Sequence, residues 1–159
     1  MKSTGEAIGY DVKPHRAMYK AMQAAGIKLH SYGTVLVTVA DEDKAETLPL
    51  VRRFYELGFN IEATTMTADY LRAHGIKCRK LKNLSEGSED SLNSIRSGYV
   101  SYIINTRAIL SGVHYINGAA MRRCAVENGV TLFTNLDTVR MVLDVLEENV
   151  NKVSTIDEE

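Results

Sequence analysis

Gly33-Thr34-Val35-Leu36-Val37-Thr38-Val39-Ala40 is nearly continuous in β-branched and apolar residues, and Asp41-Glu42-Asp43 follows at once. The run is too short for a typical helix and suits a strand. It lacks polar alternation, so both faces are buried, as in an inner strand of a parallel sheet. The acidic group opens a helical stretch to Leu57, where negative side chains suit the positive helix end. Gly58 then supplies the left-handed residue that closes such a helix. Pro49 falls inside that stretch, which predicts either a second N-cap at Thr47 or a kink.

The same unit recurs along the chain. Strands are expected at 59–63, 76–81, 99–104 and 130–133, with the polar 76–81 run at a sheet edge. Helices are expected at 67–74 and 88–97, closed by Gly75 and Gly98. A polar loop over about 105–117 leads to a helix ending at Asn128-Gly129. Leu136, Val139, Leu143, Leu146 and Val150 mark an amphipathic last helix. Five strand–helix repeats imply a three-layer α/β/α fold with a five-stranded parallel sheet of the Rossmann or flavodoxin kind, since each right-handed crossover lays its helix back on the sheet. The expected organisation is a lead-in with a helix over 1–30, the α/β domain over 31–150, and a loose tail over 151–159.

Composition narrows the function. The chain has 159 residues, 45% of them hydrophobic and 25% charged, which are ordinary globular values. Nineteen basic and 20 acidic residues leave a net charge of −1, so there is no bulk electrostatic case for nucleic acid or an anionic membrane. No apolar run approaches the ~20 residues of a membrane span, and Met1 to Glu6 has no hydrophobic block of the secretory kind. Cytoplasmic location is the expectation. Cys78 and Cys124 have no metal or redox spacing and read as packing residues, while His15, His30, His74 and His114 are too scattered for a metal cluster. Neither GxxxxGK[ST] nor a GxGxxG after a strand is present.

Open parallel sheets bind ligands outside the carboxyl ends of their strands. Those ends carry Thr38 with Lys44 beyond it, Thr64-Thr65-Met66-Thr67, Lys82-Asn83, Asn105-Thr106-Arg107, and Thr134-Asn135. This ring holds hydroxyls, amides and cations with few carboxylates. Hydroxyls and helix-start N–H groups donate to phosphate oxygens, and Lys or Arg adds the compensating charge. A small phosphorylated ligand is the expected guest; the competing explanation is that these Thr and Asn residues merely cap helices. The acids at 41–43 and 86–90 could hold a general base, although solvated helix starts explain them as well.

Several segments resemble the MGS-like (methylglyoxal-synthase-like) domain family, most closely its version at the C-terminus of the carbamoyl-phosphate synthase large subunit. They are KAMQAAGIKLHS from Lys20, TVLVTVADEDK from Thr34, RFYELGFNIEATTMT from Arg53, Ser85-Glu86-Gly87, IINT from Ile103, and MRRCAVENGVTLFTNLDT from Met121. Met1 to Glu6 also resembles the close of the second ATP-grasp half of that subunit, which implies a segment of a longer enzyme. The resemblance implies a non-catalytic domain that binds a nucleoside monophosphate, UMP or IMP, as an effector through Thr38, Lys44, Thr64, Thr67, Asn105 and Thr106. It departs from the family at Met66, where a glycine is usual. At Asn83 a lysine is usual, and here Lys82 is displaced by one position. At Arg107 a threonine is usual. The implied partners are the rest of the synthase and its glutaminase subunit, with self-association open. The domain itself needs no cofactor, while the parent uses ATP with Mg or Mn in a pathway to pyrimidines or arginine.

Two other readings stand beside it. One is methylglyoxal synthase, a lyase acting on dihydroxyacetone phosphate. Asp41 matches an acidic position of that enzyme, but Ala40 stands where its histidine belongs, Ser88-Glu89-Asp90 is out of register with its Gly-Gly-Asp, and His114 aligns with nothing. The other is a docking module without a ligand.

Overall fold

A computed structural model describes residues 20–24, 27–106 and 113–158. Among them five parallel strands form one sheet: β1 (Thr34–Thr38), β2 (Asn60–Thr64), β3 (Arg79–Leu81), β4 (Val100–Asn105) and β5 (Thr131–Phe133). Their order across the sheet is β3-β2-β1-β4-β5, every neighbouring pair being parallel. The described helices between and after them are α1 (Lys44–Glu56), α2 (Thr65–Ala73), α3 (Asp90–Arg96), α4 (Val113–Glu127) and α5 (Leu136–Glu158). This is the α/β fold that the strand–helix repeats imply. All five residues of β1 are buried, as its unbroken apolar run requires.

The two faces of the sheet carry different cores. On one, Leu36 and Ile103 pack with Leu92 and Ile95 of α3 and Met121, Cys124 and Ala125 of α4. On the other, Phe54 of α1 meets Phe59 edge-on at 5.2 Å and Tyr102 at 5.7 Å, and Tyr102 reaches Phe133 at 5.8 Å. Ile103 and Tyr102 are sequence neighbours on opposite sides, following the two-residue period of a strand. Between β1 and β4 the pairing slips at Thr34/Val35. Gly33 precedes that irregularity with φ 127°, and a Cβ there would collide with Ser101 Oγ; only glycine suits the position.

Element boundaries differ from the sequence reading for identifiable reasons. β1 stops at Thr38 because the next two amides leave the ladder for side-chain acceptors. Val39 N–H donates to Thr67 Oγ1 at 3.4 Å and Ala40 N–H to Thr106 Oγ1 at 2.9 Å. β3 starts only at Arg79, since the Cys78 carbonyl is taken by the Arg72 guanidinium at 3.1 and 2.8 Å. Asp90 N–H bonds Ser88 Oγ at 3.1 Å, which leaves Ser88 ahead of α3. Thr47 is no second N-cap; its hydroxyl donates to the Asp43 carbonyl at 2.7 Å, one turn back within α1. Pro49 lies inside that helix on its exposed side, where the carbonyl four residues earlier can be solvated instead. The expected 105–117 loop is shorter, with α4 already under way at Val113. α5 runs on to Glu158, through most of the span expected as a tail.

Two compact units divide the chain, 32–139 on the one hand and 1–31 with 140–159 on the other. The first contains the whole sheet and α1 to α4. In the second, 20–24 are helical, and Ala21, Met22, Val142, Leu143, Val145 and Leu146 are buried. The expected lead-in over 1–12, His15 and Arg107 lie outside the described residues.

Candidate functional site

β1 has β2 on one side and β4 on the other, so the strand order reverses between β1 and β4. That switch is where an open parallel sheet leaves a crevice at its carboxyl ends. Thr38 ends β1 and pairs in register with Asn105, which ends β4. Thr64 ends β2 beside them. Thr38, Thr64, Thr67, Asn105 and Thr106 are all buried, with exposures between 1% and 4%.

Their hydrogen bonds decide between capping and binding. Thr64 is the N-cap residue of α2, yet its side chain makes no capping bond. Its hydroxyl meets that of Thr38 at 2.9 Å instead. Two hydroxyls sharing one bond use one proton and keep the other. Thr67 and Thr106 use their oxygens to accept the amides of Val39 and Ala40, and each keeps its own O–H proton. The cluster therefore spends its acceptors on the fold and retains donors. Asn105 adds the complement: its amide nitrogen lies 3.1 Å from Met121 Sδ, and its buried Oδ1 has no partner among the described residues. A buried amide oxygen without a donor marks a place for one.

Lys44 opens α1 just past β1, its side chain 11% exposed. Its ammonium sits 2.6 Å from Asp41 Oδ1, and Asp41 is 73% exposed. An anionic ligand at Lys44 would meet a cation whose counter-ion is itself largely solvated. Met66 is 54% exposed, so its side chain stands clear of the buried cluster.

The strand-three residues are placed differently. Lys82 is exposed, and its backbone N–H bonds Asp90 Oδ2 at 3.2 Å. Asn83 begins a short 3-10 turn in which Glu86 Oε2 accepts its N–H at 2.6 Å and the Thr65 hydroxyl at 2.8 Å. Those two bonds hold the Glu86 carboxyl below the usual carboxylate range. Glu86 thus ties the start of α2 to the loop after β3. Among the described residues no hydrogen bond joins Lys82 or Asn83 to the threonine cluster. Sequence reasoning missed this latch, the Asp41 counter-ion and the orphaned Asn105 oxygen. The Ser85-Glu86-Gly87 match was the one available signal, and it pointed only to the latch.

Both cysteines are buried. Burial pushes each thiol up, Cys78 against the partly offsetting charge of Arg72 and Cys124 against that of Arg96. They behave as packing groups. Among the described residues no group of three His, Cys, Asp or Glu side chains could hold a metal ion, and no helix is long and apolar enough to cross a membrane.

A family model for the MGS-like domain matches residues 46–134, more than half of the sequence. The chain belongs to the MGS-like domain family. Solved structures agree on the fold. Methylglyoxal synthase from Elizabethkingia anophelis is 18% identical, with a TM-score of 0.57 over 72% of this chain and 79% of that one. The crystal structure of ForH is 19% identical, with a TM-score of 0.55 over 74% and 81%. At these identities the likeness concerns the fold. The MGS-like match runs from within α1 to just past β5, and hence covers the Thr64, Thr67, Asn105 and Thr106 part of the cluster; Thr38 and Lys44 lie just ahead of it.

Proposed function

We propose that this MGS-like domain is a non-catalytic effector module that binds a nucleoside monophosphate, UMP or IMP, at the carboxyl ends of β1, β2 and β4. The supporting observation is the buried threonine cluster at the switch point, which keeps hydroxyl protons, with the nearly buried Lys44 six residues past the end of β1. The spare protons and Lys44 take the phosphate. Asn105 Oδ1 takes a hydroxyl or N–H donor from the nucleoside. Arg107, two residues further along the sequence, is the proposed second cation. Lys82 and Asn83 are proposed as the outer rim on the β3 side.

The wider setting follows the resemblance of the sequence to the end of the carbamoyl-phosphate synthase large subunit. There the module would bias a cytoplasmic, ATP- and metal-dependent ligase, together with its glutaminase partner, by binding its conformations unequally. The competing reading is methylglyoxal synthase. It shares the fold, but Ala40 occupies the position where the resemblance puts a histidine, and the Ala40 amide is committed to Thr106.

Calorimetric titration of the chain with UMP, IMP and dihydroxyacetone phosphate separates the readings. A charge-assisted hydrogen bond is worth ~1.5–3 kcal/mol, so Lys44→Ala is expected to weaken nucleotide binding by about one to two decades. Thr64→Val weakens it less, and uridine without phosphate binds poorly to every variant. Equal binding of UMP and IMP by the parent and by Lys44→Ala refutes the site. Release of inorganic phosphate from dihydroxyacetone phosphate, above a heat-killed control, refutes the non-catalytic assignment.

A further inference from the structure

At the amino ends of the same strands lies a cavity of about 590 Å³. Thr34 and Asn60 open it from β1 and β2, Lys77 and Cys78 from the approach to β3, and Tyr55 and Tyr99 from its sides. Its distinguishing residue is Glu62, a carboxylate only 4% exposed in the middle of β2. Tyr99 Oη donates to Glu62 Oε2 at 2.6 Å, and Arg79 Nη1 reaches the same oxygen at 3.3 Å. The other oxygen, Oε1, is buried with no hydrogen-bond partner among the described residues. A buried carboxylate oxygen without a donor is costly and uncommon, because the protein has removed its water without replacing it.

The charges around the cavity are of both signs. Glu62 lies inside, while Lys77 and Arg79 stand on the exposed rim. Lys77 has no ion-pair or hydrogen-bond partner among the described residues. Arg79, its side chain 68% exposed, makes one ion pair at 3.3 Å. A simple cation would be attracted by Glu62 but repelled by two rim cations, and a simple anion would meet the reverse. A molecule carrying an ammonium and a carboxylate together satisfies both.

We propose that this cavity binds a small zwitterion, its ammonium group donating to Glu62 Oε1 and its carboxylate lying against Lys77 and Arg79. The cavity is within the range of small-molecule sites, roughly 300–1,000 Å³. Tyr99 is 40% exposed and Arg79 more so. These two surface side chains hold Oε2, and the ammonium must displace them to reach Oε1, which is sealed in the free chain. The site is separate from the threonine cluster, and its occupation does not depend on the nucleotide reading.

The test is a titration of the isotopically labelled chain by two-dimensional NMR with glycine, β-alanine and 4-aminobutyrate, which separate the two charges by increasing lengths. Butyrate and n-butylamine serve as single-charge controls. At least one zwitterion is expected to move the amide signals of Glu62, Lys77, Arg79 and Tyr99 saturably, and both controls to bind at least tenfold more weakly. Glu62→Gln should abolish the response. Should that variant fail to fold, Lys77→Ala decides, because its exposed, unpartnered side chain is not needed for folding; it should bind several-fold more weakly with an unchanged melting temperature. The proposal is overturned if no zwitterion saturates the site, if a control binds as well, or if Lys77→Ala binds like the parent chain.

Discussion

Thr106→Val removes one hydroxyl and almost no volume, and it tests how the carboxyl end of the sheet is held. Thr106 is 3% exposed, and its Oγ1 accepts the Ala40 N–H at 2.9 Å across 66 residues of sequence. Ala40 is itself buried at 6% exposure, so water cannot replace the lost acceptor. An unsatisfied buried donor costs ~1–3 kcal/mol. For a chain of this size each kcal/mol moves the melting temperature by roughly 2–4 °C, so the expected fall is about 2–12 °C. Urea unfolding followed by circular dichroism should show a lower midpoint with an unchanged slope, since the surface exposed on unfolding stays the same. Hydrogen exchange gives the local readout: the Ala40 amide should lose protection, while those inside β1 lose much less. Thr106→Ser keeps the acceptor and should recover most of the stability. If Thr106→Val unfolds at the parent's midpoint and Ala40 stays protected, this bond does not hold the end of β1, and the donor inventory built on it fails too.

Other outcomes follow from the same bonds. The Glu86 carboxyl is lowered by the Asn83 amide and the Thr65 hydroxyl, so its contribution is present above its ordinary value and is lost as pH falls through the lowered folded value. Glu86→Gln should therefore flatten the acid side of a stability–pH profile; an unchanged profile would remove the latch. Cys78 and Cys124 are buried thiols with raised pKa values, so iodoacetamide should modify neither in the native chain and both in urea. Native-state alkylation at the rate of a free cysteine would show that one of them is accessible.

The sheet was legible because its signals are local and repeated. An apolar run such as 34–40, closed by acids and then by Gly58, needs no tertiary context to read as strand, helix and stop. What escaped were places where a side chain from elsewhere in the sequence takes a backbone group. Nothing near Val39 and Ala40 reveals that Thr67 and Thr106 will claim their amides and shorten β1. Nothing near Cys78 reveals that Arg72 will claim its carbonyl and shorten β3. Strand-end residues could be named from the open-sheet rule, but the strand order, and hence the switch between β1 and β4, came only from the structure. Glu62 was invisible for a related reason: nothing within 59–63 reveals that Tyr99 and Arg79 will hold its buried carboxylate.

The threonine cluster has a consequence for interpreting its own variants. Thr67 and Thr106 use their acceptor side for the fold and keep their donor side for the crevice, so any substitution that deletes a hydroxyl perturbs folding and binding together. Lys44 is the residue where the two separate. Its ion pair is with an Asp41 side chain that is 73% exposed; once Lys44 is gone, water solvates that carboxylate, so no buried charge is left unpaired. Lys44→Ala should therefore leave the melting temperature within a few degrees of the parent while removing most of the attraction for a phosphate. A Lys44→Ala chain as destabilised as Thr106→Val would mean that the ammonium is holding the start of α1 in place, and a loss of binding could then no longer be credited to a direct contact with the ligand.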